Sequence, residues 1–152
     1  MAKLKAKKPR RILCYVDLSK GSRYIIEYAK QIADLTGAEP YFLHSVTDLR
    51  KFAGFYVPHV STDSLSGEVL NGAKDKLYAF CMQTIGEVEP TRRIVKEGDP
   101  IEAIHEEIAR LGADLLVIGH QSKTFSFFKE DYVTRYLKDP PCPVLVIPIS
   151  GE

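Results

Sequence analysis

The sequence is poor in cysteine, has no long apolar run, and carries no glycine between Gly119 and Gly151. Cys14, Cys81 and Cys142 are odd in number and far apart, with no metal-ligand spacing. That pattern excludes a disulfide framework and a cysteine zinc site. The three read instead as small core hydrophobes in a reducing compartment. No apolar stretch approaches the ~18 residues of a membrane span, and the basic N-terminus has no apolar segment behind it, as a secretory signal would. The expectation is a cytoplasmic protein. The missing glycines matter most. Gly119 closes the strand-like run ADLLVIG, a common place for a phosphate loop to begin. Glu130 and Asp131 then stand where an anion would have to sit.

What is present fits one globular domain. The chain has 152 residues, 45% apolar and 27% charged, enough to bury roughly 70% of its unfolded surface without metals or disulfides. Its formal charge is +1, unevenly placed. Residues 1–11 hold six of the 21 lysines and arginines and no acid, leaving 15 bases against 20 acids, a net of −5, in the remainder. Residues 1–10 read as a basic disordered tail and 11–150 as a single domain. A nucleic-acid contact is the functional alternative for the tail, to be recognised by steep salt dependence.

Strand and helix signals alternate along the chain. RILCYVD (Arg11 to Asp17) reads as a strand covered on both faces. A helix follows, with Ile25, Ile26, Ala29, Ile32 and Ala33 on one side, Ser19 or Ser22 as cap, and Gly37 as left-handed stop. EPYFLHSV reads as the second strand. Thr47 to Ser64 is a long connection suited to a lid or binding loop. A helix is expected from about Leu65 to Ile85, anchored by Leu70, Leu77 and Phe80. TRRIVKEG is the third strand. Asp99, Pro100 and Glu102 then open a helix as N-cap, first residue and capping-box partner, with Ile101, Ile104, Ile108 and Leu111 as its stripe. ADLLVIG is the fourth strand. A helix over Glu130 to Lys138 would bury Val133 and Leu137, and VLVIPIS is the fifth strand. The alternation implies a parallel sheet between helical layers, with ligands at the carboxyl ends of the strands, just past Asp17, Val46, Gly98 and Gly119.

Four stretches in this order resemble the universal stress proteins. They are ILCYVDLSKGSRYIIEYA, GAEPYFLHSV, VKEGDPIEAIHEEIARLGADLLVIG and PCPVLVIP, and they span residues 11 to 148. The resemblance implies a three-layer α/β/α sandwich of the adenine nucleotide α-hydrolase-like kind. Its five-stranded parallel sheet would have the order 3-2-1-4-5, and a homodimer is usual. Some members of the family carry G-x2-G-x9-G-[ST] after the fourth strand and bind ATP; others lack the motif. Here Gly119 keeps the first glycine, Ser122 replaces the second, and Glu130, Asp131 or Tyr132 replaces the third. A carboxylate about 4 Å from a phosphate charge costs on the order of 1 to 4 kcal/mol, so a triphosphate is disfavoured. The resemblance assigns Asp17 to the adenine and Ser45 to the base pocket, while Ser122 and Lys123 could hold a phosphate oxygen.

The other chemistry-bearing residues point no further. His44, His59, His105 and His120 show no zinc spacing. His44 reads as a core or strand-end residue and His105 as half-exposed. His120 with Asp17 is a weak acid–base pair lacking a nucleophile. Phe125, Phe127 and Phe128 crowd one loop, as at interaction surfaces. The leading expectation is a non-enzymatic stress-response protein without a cofactor, acting through unknown protein partners. It would pair as a twofold dimer through residues 143–149, burying Val144 and Val146 or Leu145 and Ile147. The alternative is an ATP- or AMP-binding sensor, or a slow nucleotide hydrolase, using Asp17, Ser45, Gly119 and Ser122.

Overall fold

A computed structural model of the chain describes residues 5–47, 56, 65–121 and 132–149. Its elements are β1 (Arg11–Tyr15), α1 (Ser22–Thr36), β2 (Glu39–Val46), α2 (Leu65–Thr84), a 3-10 turn (Pro90–Arg92), β3 (Arg93–Glu97), α3 (Pro100–Leu111), β4 (Leu115–Gln121), α4 (Tyr132–Leu137) and β5 (Val144–Ile149). The strands form one parallel sheet in the order β3-β2-β1-β4-β5, the expected architecture. Strand alternation splits the core in two. Ile12, Cys14, Val16, Phe42, Val46 and Val117 pack toward α1 and α2. Leu13, Tyr15, Leu43, Leu116 and Ile118 pack toward α3 and α4.

Several local expectations need correction. α1 begins at Gly21 without a side-chain cap, because Ser19 and Ser22 both turn their hydroxyls to Asp17 instead. Gly37 is the left-handed stop, at φ 74°. The buried stripe of α2 is Val69, Ala73, Leu77 and Cys81, while Leu70 and Phe80 are only partly covered. Spacing of four places these residues on one face; Phe80 leans aside, under the guanidinium of Arg23. Thr91 and Arg92 belong to the 3-10 turn, so β3 starts two residues late. At α3, Asp99 accepts from the N–H groups of Ile101 (3.0 Å) and Glu102 (3.2 Å). The reciprocal bond of a capping box, from the Asp99 backbone N–H to the Glu102 carboxylate, is absent among the described residues, and the Asp99 carboxylate is also gripped by Arg135, which donates to both its oxygens at 3.1 and 3.3 Å. Ile104 and Ile108 are buried as expected, but Ile101 and Leu111 are only partly so. Glu107 is buried too, neutralised by Arg110 (2.6 Å) and Lys96 (3.4 Å). In α4 Tyr136 is buried, whereas Leu137, expected to be covered, is 48% exposed; the side chain of Val133 lies outside the described residues.

The two sheet edges differ. β3 carries Arg93 and Lys96, and Lys96 bridges Glu106 and Glu107 on α3. β5 is aliphatic, with Val144, Leu145 and Val146 half-buried and only Ile147 fully covered. Cys14, Cys81 and Cys142 are all free. No helix of the described residues is long and apolar enough to cross a membrane.

Candidate functional site

β1 is the central strand, and the chain leaves it through a strained turn. Leu18 is buried with φ 62°, a left-handed conformation that costs a non-glycine residue roughly 1 kcal/mol or more. The turn folds the start of α1 back over the strand tip. Asp17 Oδ1 then accepts from the backbone N–H of Ser19 (3.0 Å), the Ser19 hydroxyl (2.6 Å) and the Ser22 hydroxyl (2.9 Å). Oδ2 is left without a hydrogen-bond partner among the described residues.

Ser45 and Gly119 lie on the neighbouring strands, β2 and β4. Ser45 is buried, and its hydroxyl donates to the carbonyl of Gly98 at 2.6 Å. That bond fastens β2 to the end of β3. Gly119 sits on the opposite face of the sheet, where β4 meets α1. A Cβ there would lie 2.7 Å from Ile149 Cδ1 and 2.9 Å from Ile25 Cδ1. At Gly21, before α1, it would lie 2.6 Å from Ile149 Cγ2. Neither glycine has positive φ. Both are small because Ile149 occupies the space between them. The hollow framed by the end of β4 and the start of α1 therefore holds a hydrocarbon side chain.

His44 and Tyr56 form the other polar feature of this end. His44 is buried between the Val16 carbonyl, 2.7 Å from Nδ1, and the Tyr56 hydroxyl, 2.6 Å from Nε2. A carbonyl only accepts, so Nδ1 carries the proton and Nε2 accepts from Tyr56. Burial pulls the His44 pKa from 6.5 down to about 4; the Val16 bond and the Asp17 charge oppose this, and Lys76 adds to it. Burial also raises the Tyr56 hydroxyl well above its ordinary value. The imidazole is neutral and the phenol protonated, so neither is poised for acid–base work near neutrality.

Asp17, Ser45 and Gly119 stand toward the carboxyl ends of three adjacent strands, and the side chains of Asp17 and Ser45 bond within the fold. Ser122, Lys123, Phe125, Phe127, Phe128, Glu130 and Asp131 lie outside the described residues, as does the connection after Thr47 apart from Tyr56. His120, next to the last residue of β4, is half-buried, and His105 is half-buried against Tyr136. Sequence reasoning missed Ile149 and Tyr56. Ile149 could have been found by parity, since Leu145, Ile147 and Ile149 alternate onto the α1 side of β5. Among the described residues no group of three or more His, Cys, Asp or Glu could hold a metal ion.

Comparison with known proteins covers nearly the whole chain. Residues 8–148 match the sequence model of the universal stress protein family. Universal stress protein A homolog 2 of Coxiella burnetii is 25% identical over 145 residues, which is 94% of this chain and 97% of that protein. A protein of the same family from Burkholderia pseudomallei superposes with a TM-score of 0.66 at 21% identity, covering 95% of this chain and all of that one. A universal stress protein solved in complex with cAMP gives 0.56 at 20% identity, over 93% and 98% of the two chains.

Proposed function

The chain belongs to the universal stress protein family, and from that premise we propose that it is a non-catalytic, dimeric stress-response protein of the cytoplasm that holds ATP weakly or not at all. The observation that carries this reading is Ile149, whose side chain lies against both Gly21 and Gly119. A phosphate approaching the end of β4 would meet methyl and methylene groups where a nucleotide site offers bare backbone N–H. Ser45 adds nothing for a ligand, because its hydroxyl is bonded to Gly98. Glu130 and Asp131 oppose a polyanion by charge alone.

Isothermal titration of the full chain with ATP tests the reading. No saturable heat is expected below millimolar ATP, and a sub-millimolar Kd would overturn it. A second reading, an adenine-nucleotide sensor or slow hydrolase, is supported by Oδ2 of Asp17, which has no hydrogen-bond partner among the described residues, and by the neighbour solved with cAMP. Saturable binding of AMP or cAMP, weakened by Asp17→Ala, would favour it.

The edge strands support the assembly. β5 leaves Val144, Leu145 and Val146 half-buried on an unpaired edge, and such an edge invites a second strand. Twofold pairing through residues 143–149 would cover it and supply the surface through which protein partners are met. Light scattering should give a dimer at micromolar concentration and a monomer for Val146→Asp. A wild-type monomer would remove the dimer from the proposal.

A further inference from the structure

A second hollow lies away from the strand-end rim and shares no residue with it. It is a cleft of about 320 Å³ between α2 and the edge strand β3, lined by Lys74, Leu77, Pro90, Arg93 and Val95. Its floor is hydrocarbon: Leu77 is fully buried and Val95 packs against the same core. Its walls are cationic. Arg93 is fixed by two contacts, a hydrogen bond from Nε to the Val88 carbonyl (3.1 Å) and the face of the Tyr78 ring, 4.6 Å from the guanidinium carbon. Neither contact uses its terminal nitrogens, which carry no hydrogen bond among the described residues. Lys74 is exposed and has no ion pair or hydrogen bond there either. The acids of the adjoining turn are engaged elsewhere, Glu87 by the Tyr78 hydroxyl (3.3 Å) and Glu89 by Arg92 (3.9 Å).

We propose that this cleft is a binding site for a small organic carboxylate with a compact apolar body. The terminal N–H groups of Arg93 match a carboxylate in geometry as well as charge, and the ring of Tyr78 holds the guanidinium plane in place. Lys74 adds a mobile second cation across the opening. Leu77, Val95 and the ring of Pro90 receive the apolar body. The volume sits at the lower end of the range for small-molecule sites. A polyphosphate fits less well, because Pro90 has no N–H to offer and the floor is hydrocarbon. The site is independent of the strand-end crevice, so its failure would leave the reading of that crevice untouched.

Amide NMR titration of the full chain tests the proposal, with 3-phenylpropionate as probe and its uncharged amide, acetate and inorganic phosphate as controls. Saturable shifts are expected at Lys74, Leu77, Arg93 and Val95 with 3-phenylpropionate. Affinity should be at least tenfold weaker for the amide and for acetate. Lys74→Gln and Arg93→Gln should each weaken the probe by about tenfold, the loss of one charge-assisted hydrogen bond. Three outcomes would overturn the site: no saturable shift at these residues; equal shifts with acetate or inorganic phosphate, which would mark charge screening; or unchanged affinity in Lys74→Gln, which alters only an exposed side chain and decides the matter if Arg93→Gln perturbs the fold.

Discussion

The strand-end rim and the α2–β3 cleft contain similar kinds of residue but use them differently. At the rim, one oxygen of Asp17 takes three hydrogen bonds from its own loop, Ser45 bonds Gly98, and His44 is clamped between Val16 and Tyr56. In the cleft, Lys74 and the outer face of Arg93 bond to nothing among the described residues. Chemistry-bearing side chains therefore do not by themselves mark a site. A side chain whose hydrogen bonds are filled by the fold acts as a structural joint, and one left unfilled is open to a ligand.

The difference can be broken from either side. The largest effect is expected at His44. Its pKa is about 4 in the fold against 6.5 ordinarily, so the unfolded chain binds more protons between those values. Stability should be constant above about pH 6.5 and fall by on the order of 3 kcal/mol as pH drops toward 4. Urea denaturation at pH 7, 5.5 and 4 should show that slope, over and above the slope of His44→Gln. Identical profiles would mean that His44 is no joint.

Next comes Asp17→Ala, which strips three donors of their acceptor and should destabilise by about 2 kcal/mol. A loss near zero would show that the rim carboxylate is spare, as a ligand group would be. Ile149→Ala should destabilise by about 1 kcal/mol, since the side chain is half-buried, and should open the space beside Gly119. ATP titration of that variant separates steric closure from charge. Gained binding identifies Ile149 as the barrier, and continued absence assigns it to the acids after Ser122. The smallest effect belongs to Lys74→Gln, which should leave stability within about 0.5 kcal/mol. A larger loss would show that Lys74 is structurally committed after all.

Much of the fold was legible because its signals are local or periodic. The alternation of strand and helix, the Asp99 cap and the Gly37 stop all rest on backbone chemistry that a few neighbouring residues determine. Long-range matters were not. The serines before α1 look like caps until Asp17 competes for their hydroxyls. Asp99 looks like a cap and nothing more until Arg135, 36 positions away, closes on its carboxylate. The rim was placed by topology, whereas its closure depends on Ile149 reaching Gly21 and Gly119 across more than a hundred residues and about thirty respectively. Only the folded chain brings those atoms together.

The grip of Arg135 on Asp99 has a bearing on motion. A six-residue helix has no persistence of its own in water, and among the described side chains α4 is held by Tyr136 in the core and the forked ion pair of Arg135 at the first turn of α3. Amide hydrogens in both helical segments should consequently exchange with deuterium as a single unit, and whatever tugs residues 132–137 loose would be felt at once where β3 gives way to α3.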